Sequence, residues 1–407
     1  MRIEIVGNYG FSLNKEVMLK MLICLVWAAV LLAFLRGIVN HLPVISDHTE
    51  SVIAAVVVIT LLFALPALVN KFCLADYLFF IAWIVYYLSC YIFYPDNASY
   101  LDENAYLCLL CVFPYYFIGR IVDIDEMFNV FVLLSTACIF FNLFYFLVYA
   151  QEAKNMAEVA GNDNMYTAYR VLPHVSMLLW ATLEKFRLWK AATLVLGILF
   201  LLSCGTRGPL VCLAFFGVIY FFFYMNFKGA AYIKIGIVTT FIIIIANLNT
   251  IILFLVKTFT GLQLSTRILE KFVMGDLGND TYRSVLREKL YDVLDTGNHF
   301  FGLGAFGCQN YGVIYPHYLP LDFYCTYGYF WGGCLLLLLF ALIVYALWVA
   351  RGKKAQVFIV FLFSVSIIKL MFTGTFINEP YLFMLIGACA KILLTGNESS
   401  SLQKESL

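Results

Sequence analysis

Apolar runs long enough to cross a bilayer recur along almost the whole of this 407-residue chain, and they leave few folds open to it. Crossing about 30 Å of hydrocarbon takes about 20 predominantly apolar residues in a helix. In that medium each backbone N–H and C=O must be satisfied within its own segment, which a helix does. Twelve runs meet or approach that length, at roughly 17–39, 51–70, 76–94, 104–119, 127–150, 166–183, 188–204, 208–226, 231–255, 329–350, 355–372 and 380–395. Composition agrees: 63% of residues are hydrophobic, 13% are charged, and mean hydropathy is +0.90. The chain therefore reads as an all-α polytopic membrane protein of about 12 transmembrane helices. Pro173 and His174 interrupt the sixth run, which is the weakest, and Asn247 and Asn249 predict a break in the ninth. No internal repeat of 20–50 residues is present, which excludes a solenoid.

Lysine and arginine in short loops mark the cytoplasmic side. Alternate linkers carry Lys15 with Lys20, Lys71, Arg120, Lys185 with Arg187 and Lys190, Lys228 with Lys234, Arg351 with Lys353 and Lys354, and Lys391. The linkers between them, around 41–48, 95–103 and 151–169, are poor in bases and are assigned outside, with both termini inside. The expected organisation is helices 1–9 over 1–256, a large extracytoplasmic loop over 257–319, helices 10–12 over 320–395, and a cytoplasmic tail over 396–407. The first run is expected to be a span rather than a cleaved signal, because it is too long and contains Lys20 and Arg36. A net charge of +1 excludes bulk electrostatic attraction to nucleic acid. The twelve cysteines fall mostly inside the runs, without His/Cys metal spacing. Cys308 and Cys325 both fall near the outer face, either as a pair or as two unpaired apolar residues.

Two arginines stand outside against the charge trend. Arg207 sits in the tight turn Ser203-Cys204-Gly205-Thr206-Arg207-Gly208-Pro209, and Arg283 lies in the long outer loop. That loop holds Lys257, Arg267, Lys271, Arg283, Arg287 and Lys289 against Glu270, Asp276, Asp280, Glu288, Asp292 and Asp295, so anion selectivity there depends on placement. Asp280 as N-cap and Gly297 as stop bracket a helix of about 281–296, with Tyr282, Leu286, Leu290, Val293 and Leu294 on one face. Arg283 and Arg287, spaced i,i+4, border that face. For Arg287, beside Glu288, an ordinary solvated flank is the simpler reading. Next comes Phe301-Gly302-Leu303-Gly304-Ala305-Phe306-Gly307, which contains G-x-G-x-x-G after a helix rather than after a strand. It is therefore not a dinucleotide site, and its glycines serve tight turning against a packed surface. In Tyr315-Pro316-His317-Tyr318-Leu319-Pro320-Leu321-Asp322, His317 is a candidate proton acceptor, although a lone histidine also fits a structural role. Tyr311, Tyr315, Tyr318 and Tyr324 are candidate sugar-packing rings, or interfacial tyrosines.

The order of these pieces resembles the Wzy-type O-antigen and capsular polysaccharide polymerases, relatives of the O-antigen ligases. Ser203-x-Gly205-Thr206-Arg207-Gly208 is similar to that family's Gly-Ser-Arg-Gly turn. Tyr282-Arg283 with the following helix and Gly302-Leu303-Gly304 resembles its outer loop. Pro316-His317 with Leu319, Leu321, Asp322 and Gly328 resembles its lead-in to the next span. Thr206 replaces the usual serine, and Tyr318 stands where asparagine is common. Phe372-Thr373-Gly374-Thr375 is also similar, with no role assigned.

The resemblance implies a GT-C-like glycosyltransferase of the bacterial inner membrane, its site facing the periplasm. Such an enzyme moves a glycan from one undecaprenyl diphosphate carrier to the non-reducing end of another carrier's repeat unit, with inversion and without metal or other cofactor. It further implies a partner that sets chain length. In that reading Arg207 and Arg283 bind the diphosphate through guanidinium forks, His317 is the catalytic base, and Arg287, Asp322 and Tyr318 support them. An O-antigen ligase has the same donor and architecture. A lipid-linked oligosaccharide flippase shares the span number, but paired halves and mid-span charges are expected of it, and neither appears.

Overall fold

A computed structural model describes residues 2–5, 9–12, 55, 72–154, 160–204, 206–225, 239, 248–261 and 281–405. The first two apolar runs, most of the ninth, Asp280, and the loop residues Arg267, Glu270, Lys271 and Asp276 lie outside them. The chain divides into two compact units, Met1–Phe131 with Tyr282–Leu407, and Val132–Thr281. The described residues are mostly helical, and their only strands form one small hairpin, β1 Arg2–Ile5 and β2 Tyr9–Ser12, antiparallel with Arg2 opposite Ser12 and Ile5 opposite Tyr9. Ile3 and Ile5 alternate with Arg2 and Glu4, the period of a strand rather than of a helix.

In the first unit, α1 Leu74–Phe93 and α2 Ala98–Ile121 are followed by α3 Ile124–Lys154, which runs on into the second unit. The second unit adds α4 Ala160–Glu184, α5 Leu188–Ser203, α6 Arg207–Ile219 and α7 Leu248–Gly261. The chain then returns to the first unit through α8 Thr281–Val293, α9 Leu319–Val349, α10 Lys353–Phe363 and α11 Pro380–Glu405. Among the described residues, four segments are long and apolar enough to cross a membrane: Leu74–Phe93, Ile124–Phe144, Arg207–Tyr224 and Leu319–Val349. Leu188–Ser203 and Pro380–Leu394 are shorter apolar helices.

The apolar surface faces outward, which water would not tolerate and lipid does. On α1, Leu74, Leu78, Ile81, Val85, Leu88 and Ile92 form one helical stripe, each between 56% and 76% exposed. Inside, close contact depends on small residues, as expected where no hydrophobic drive pulls helices together. A Cβ on Gly119 of α2 would lie 2.0 Å from the Met384 carbonyl oxygen of α11, and one on Gly387 would lie 2.2 Å from the Tyr116 oxygen. These two glycines allow α2 and α11 to cross backbone to backbone. Cys108 and Cys111 within α2 do form a Cys-x-x-Cys, a metal-type spacing that sequence reasoning passed over, and both are free thiols.

Linkers of the first unit gather at two ends. At one end, Asp76 Oδ1 accepts from Arg120 Nε at 2.9 Å and from the Tyr116 hydroxyl at 2.6 Å. Lys391 Nζ donates to the Val122 carbonyl at 2.8 Å, and Lys354 pairs with Asp125 at 3.2 Å. A cavity of about 230 Å³ opens there among Gly119, Asp123, Arg351 and Lys391. At the other end of α9, the linker after α1 grips the loop after α8. The Tyr94 hydroxyl donates to the Phe301 carbonyl at 2.9 Å, and Asn97 Nδ2 donates to those of Leu303 and Ala305 at 2.8 and 3.1 Å. Segments that the charge pattern assigned to one side thus meet at one end.

In the second unit, α4 continues through Pro173 rather than breaking there. His174, fully buried, is within 3.4 Å of the Ser135 hydroxyl. A Cβ on Gly197 would lie 2.8 Å from Val175, so α5 sits close against α4 at this level. Burial of this face in packed helices outweighs the single backbone hydrogen bond that proline forfeits.

Candidate functional site

The expected amphipathic helix forms α8, and its apolar face is the one the spacing marked. Leu290 and Leu294 are fully buried in a cluster with Leu303, Cys308, Val313, Leu321 and Cys325, and Leu286 and Val293 pack against it. Val285, Glu288 and Asp292 are exposed. A Leu side chain fully buried contributes about 1.5–3 kcal/mol, so this face is what fastens α8 over the loop and the start of α9. The helix gives way to a π-type turn over Leu294–Asn298, where Gly297 leaves helical geometry at φ 160°. Cys308 and Cys325 are both free, and burial pushes the Cys308 thiol up, away from reactivity. Tyr311, Tyr318 and Tyr324 are half-buried against the same cluster rather than presented as open platforms.

The glycines of Phe301–Gly307 meet a packed surface, and the loop is threaded into α9 itself. Gly328 breaks that helix at φ 80°, ψ 168°. In an unbroken helix the Tyr329 N–H would bond to the Cys325 carbonyl. Instead it donates to the His299 carbonyl at 2.8 Å, and the Cys325 carbonyl accepts from Leu303 N at 2.6 Å. The loop backbone therefore substitutes for one rung of the helix. Gly302, at φ 72°, lies so close that a Cβ would be 2.5 Å from Gly328 N.

This arrangement fixes the segment Tyr315–Asp322, where the structure gathers several of the expected site residues. His317 adopts the left-handed conformation at φ 55°, unusual for a residue with a Cβ and unfavourable by about 1–2 kcal/mol. Two contacts hold it there. An Arg287 terminal guanidinium nitrogen donates to the His317 carbonyl at 3.1 Å, and His317 Nδ1 lies 3.3 Å from the Phe372 carbonyl. A carbonyl oxygen can only accept, so in the neutral ring Nδ1 carries the hydrogen and Nε2 the lone pair. The Tyr315 ring meets the imidazole edge-on at 4.5 Å between centroids.

Arg287 is thus not a solvated flank. Its guanidinium stacks over the Tyr318 ring at 5.3 Å, and its buried Nε has no hydrogen-bond partner among the described residues. Arg283 is half-buried one helical turn earlier. Asp322, only 4% exposed, accepts from the Phe376 amide at 2.8 Å and the Thr375 hydroxyl at 3.2 Å. Both of its oxygens are engaged in holding the turn between α10 and α11.

Arg207 belongs to the second unit, as the first residue of α6. The preceding helix α5 ends at Ser203, and Thr206 is the N-cap of α6 in extended conformation at φ −117°. A half-buried guanidinium at a helix N-terminus places a cation beside the positive end of the helix dipole, a combination that favours an anionic ligand.

Sequence reasoning missed the turn over 371–379 as a functional element. Its signal was present in Phe372-Thr373-Gly374-Thr375, a motif noted without a role, and Gly374 takes φ 84°. Asn97, 2% exposed, was also missed; besides its two bonds to the loop it accepts from Asn310 at 2.6 Å. Among the described residues no group of three or more His, Cys, Asp or Glu side chains is placed to hold a metal ion. No family model, curated protein or solved structure matches the chain.

Proposed function

We propose that the protein is a bacterial polysaccharide polymerase, a glycosyltransferase that elongates glycans carried on undecaprenyl diphosphate. The single observation that carries this reading is the setting of His317. It is an imidazole in a strained backbone conformation, its Nδ1–H directed to the Phe372 carbonyl, with the Arg287 guanidinium on its own carbonyl. Strain of this kind persists where surrounding structure over-determines it, and it concentrates at functional sites.

The chemistry follows from the groups. The hydroxyl at the non-reducing end of the acceptor attacks the anomeric carbon of the donor glycan. Its proton passes to His317 Nε2, and the bond between the anomeric carbon and the diphosphate oxygen breaks with its electron pair leaving on the diphosphate. Arg283 pairs with that developing charge through its planar fork, a role that the family resemblance also implies for Arg207. Arg287 supports them, because its Nε–H has no acceptor among the described residues and a phosphate oxygen can supply one. Tyr318 stacks beneath Arg287, and Asp322 keeps the neighbouring turn in place. Direct displacement inverts the anomeric centre, and the sequence of steps requires no metal or nucleotide sugar. A GT-C-like arrangement of twelve spans in the inner membrane, with this site on the periplasmic side and a chain-length-setting partner, completes the proposal.

Cells carrying His317→Gln in place of the native chain test it. Surface glycans reduced to a single repeat unit are the expected result. Accumulation of long carrier-linked polymer would instead make the protein a ligase, and an unchanged glycan profile would remove it from glycan assembly altogether.

A further inference from the structure

The turn that touches both His317 and Asp322 is closed at its base by a buried ion pair. Lys369 ends the helical segment that extends α10, and its ammonium pairs with the Glu379 carboxylate just before α11; their side chains are 17% and 3% exposed. The backbone between them is tightly bonded. Phe372 N and Thr373 N both donate to the Lys369 carbonyl, at 2.9 and 3.0 Å, and Glu379 N donates to the Phe376 carbonyl at 3.4 Å. Thr375 is bonded on both sides, accepting from Ile377 N at 3.4 Å while donating to Asp322 at 3.2 Å. The Phe376 ring stacks on Phe323 of α9 at 4.2 Å. The Phe372 carbonyl that faces His317 Nδ1 therefore sits on a segment with both ends fastened.

We propose that Lys369 and Glu379 are positioning residues that act as a clasp: by closing the turn they fix the Phe372 carbonyl, and that carbonyl fixes the ring of His317 with its hydrogen on Nδ1 and its lone pair on Nε2. In this proposal they act through the backbone of Phe372. The catalytic consequence rests on the reading of His317 as the base, whereas the structural consequence does not.

The physical logic predicts how the pair responds to substitution. Removing one partner leaves the other charge buried without its counter-ion, which opens the turn; replacing both by neutral side chains removes the clasp without stranding a charge. Lys369→Arg keeps the pair and should retain the wild-type arrangement.

The test uses the full-length protein in lipid nanodiscs with ¹⁵N-labelled histidine, the His317 signals being identified by their loss in His317→Gln. Well above the imidazole titration, the native protein should give the Nδ1–H pattern, and so should Lys369→Arg. Glu379→Gln and the double variant Lys369→Met/Glu379→Gln should shift toward the Nε2–H form that free imidazole prefers in water. Chain elongation should fall at least tenfold while binding of the carrier-linked repeat stays within twofold. The double variant keeps the test decisive if Glu379→Gln alone does not fold. A His317 that remains Nδ1–H in the double variant overturns the clasp whatever the activity. A shifted tautomer with normal polymer length supports the clasp and overturns His317 as the base.

Discussion

Gly328→Ala tests the threading of the outer loop into α9. The backbone there has φ 80° and ψ 168°, a region essentially confined to glycine, so an alanine adds about 1–3 kcal/mol of conformational strain. The new Cβ would also lie 2.2 Å from the Phe300 carbonyl oxygen and 2.8 Å from Phe301 N, both backbone atoms that cannot swing aside as a side chain can. Relief requires the loop to withdraw, which breaks the bonds of Tyr329 N to His299 and of Leu303 N to Cys325. At about 1 kcal/mol each, with the strain included, the loss comes to about 3–5 kcal/mol. Gly302→Ala should behave alike, since its Cβ meets the same crossing at 2.5 Å from Gly328 N. Gly312 supplies the control: it is also left-handed, at φ 73°, but nothing lies within 4 Å of its Cβ. Gly312→Ala should therefore carry only the left-handed term of about 1–2 kcal/mol. The assay is thermal unfolding of each purified variant in one detergent, combined with limited proteolysis between 299 and 303. If Gly328→Ala is as stable as Gly312→Ala and no more readily cleaved, the loop does not replace a rung of the helix and the reasoning fails.

Four further outcomes are expected. Leu290→Ala, removing a fully buried side chain from the face of α8, should destabilise the protein by about 2–5 kcal/mol in the same unfolding assay. Asp322→Asn, which replaces an acceptor-only group by one with a single acceptor oxygen, should forfeit one of the two bonds to Thr375 and Phe376 at about 1–3 kcal/mol; equal stability would show that the turn does not depend on the carboxylate. Arg207→Lys and Arg283→Ala should each shorten the surface glycan to near a single repeat at normal protein level, and normal polymer length in either would make that arginine structural. With Asn298→Cys and Lys353→Cys introduced singly into a cysteine-free background, an impermeant thiol reagent should label only the former in intact cells; the opposite pattern would invert the topology.

Local order in the chain was sufficient to define some of this. The helix expected at 281–296 appears as Thr281–Val293 with a π-type turn to Asn298, because a 3.6-residue apolar period records which face will be buried. The glycine-rich stretch Phe301–Gly307 read correctly as a tight turn, because the absence of a Cβ is itself a statement about close approach. Charge alternation grouped the linkers at 95–103 and after α8, and their contact through Asn97 and Tyr94 follows from that grouping. The N-terminal hairpin was equally local, but its strands are too short to stand out beside twelve long apolar runs.

Periodicity tells which side is covered, never what covers it, and that part was decided only in three dimensions. Arg287 looked like a solvated flank beside Glu288, yet it is half-buried and donates to the carbonyl of His317, 30 positions away. Phe372 and Thr375 carried no chemistry of their own in the sequence. They matter because His317 and Asp322 meet them across 55 and 53 positions. Gly328 sat just ahead of the apolar run at 329–350, and only the approach of Gly302 makes its conformation necessary. Apart from the Thr375 hydroxyl, the partner in each case is a backbone carbonyl or amide, a group that nearly every residue type shares. Its identity leaves no trace in the order of side chains, and only the tertiary fold can decide which one is met.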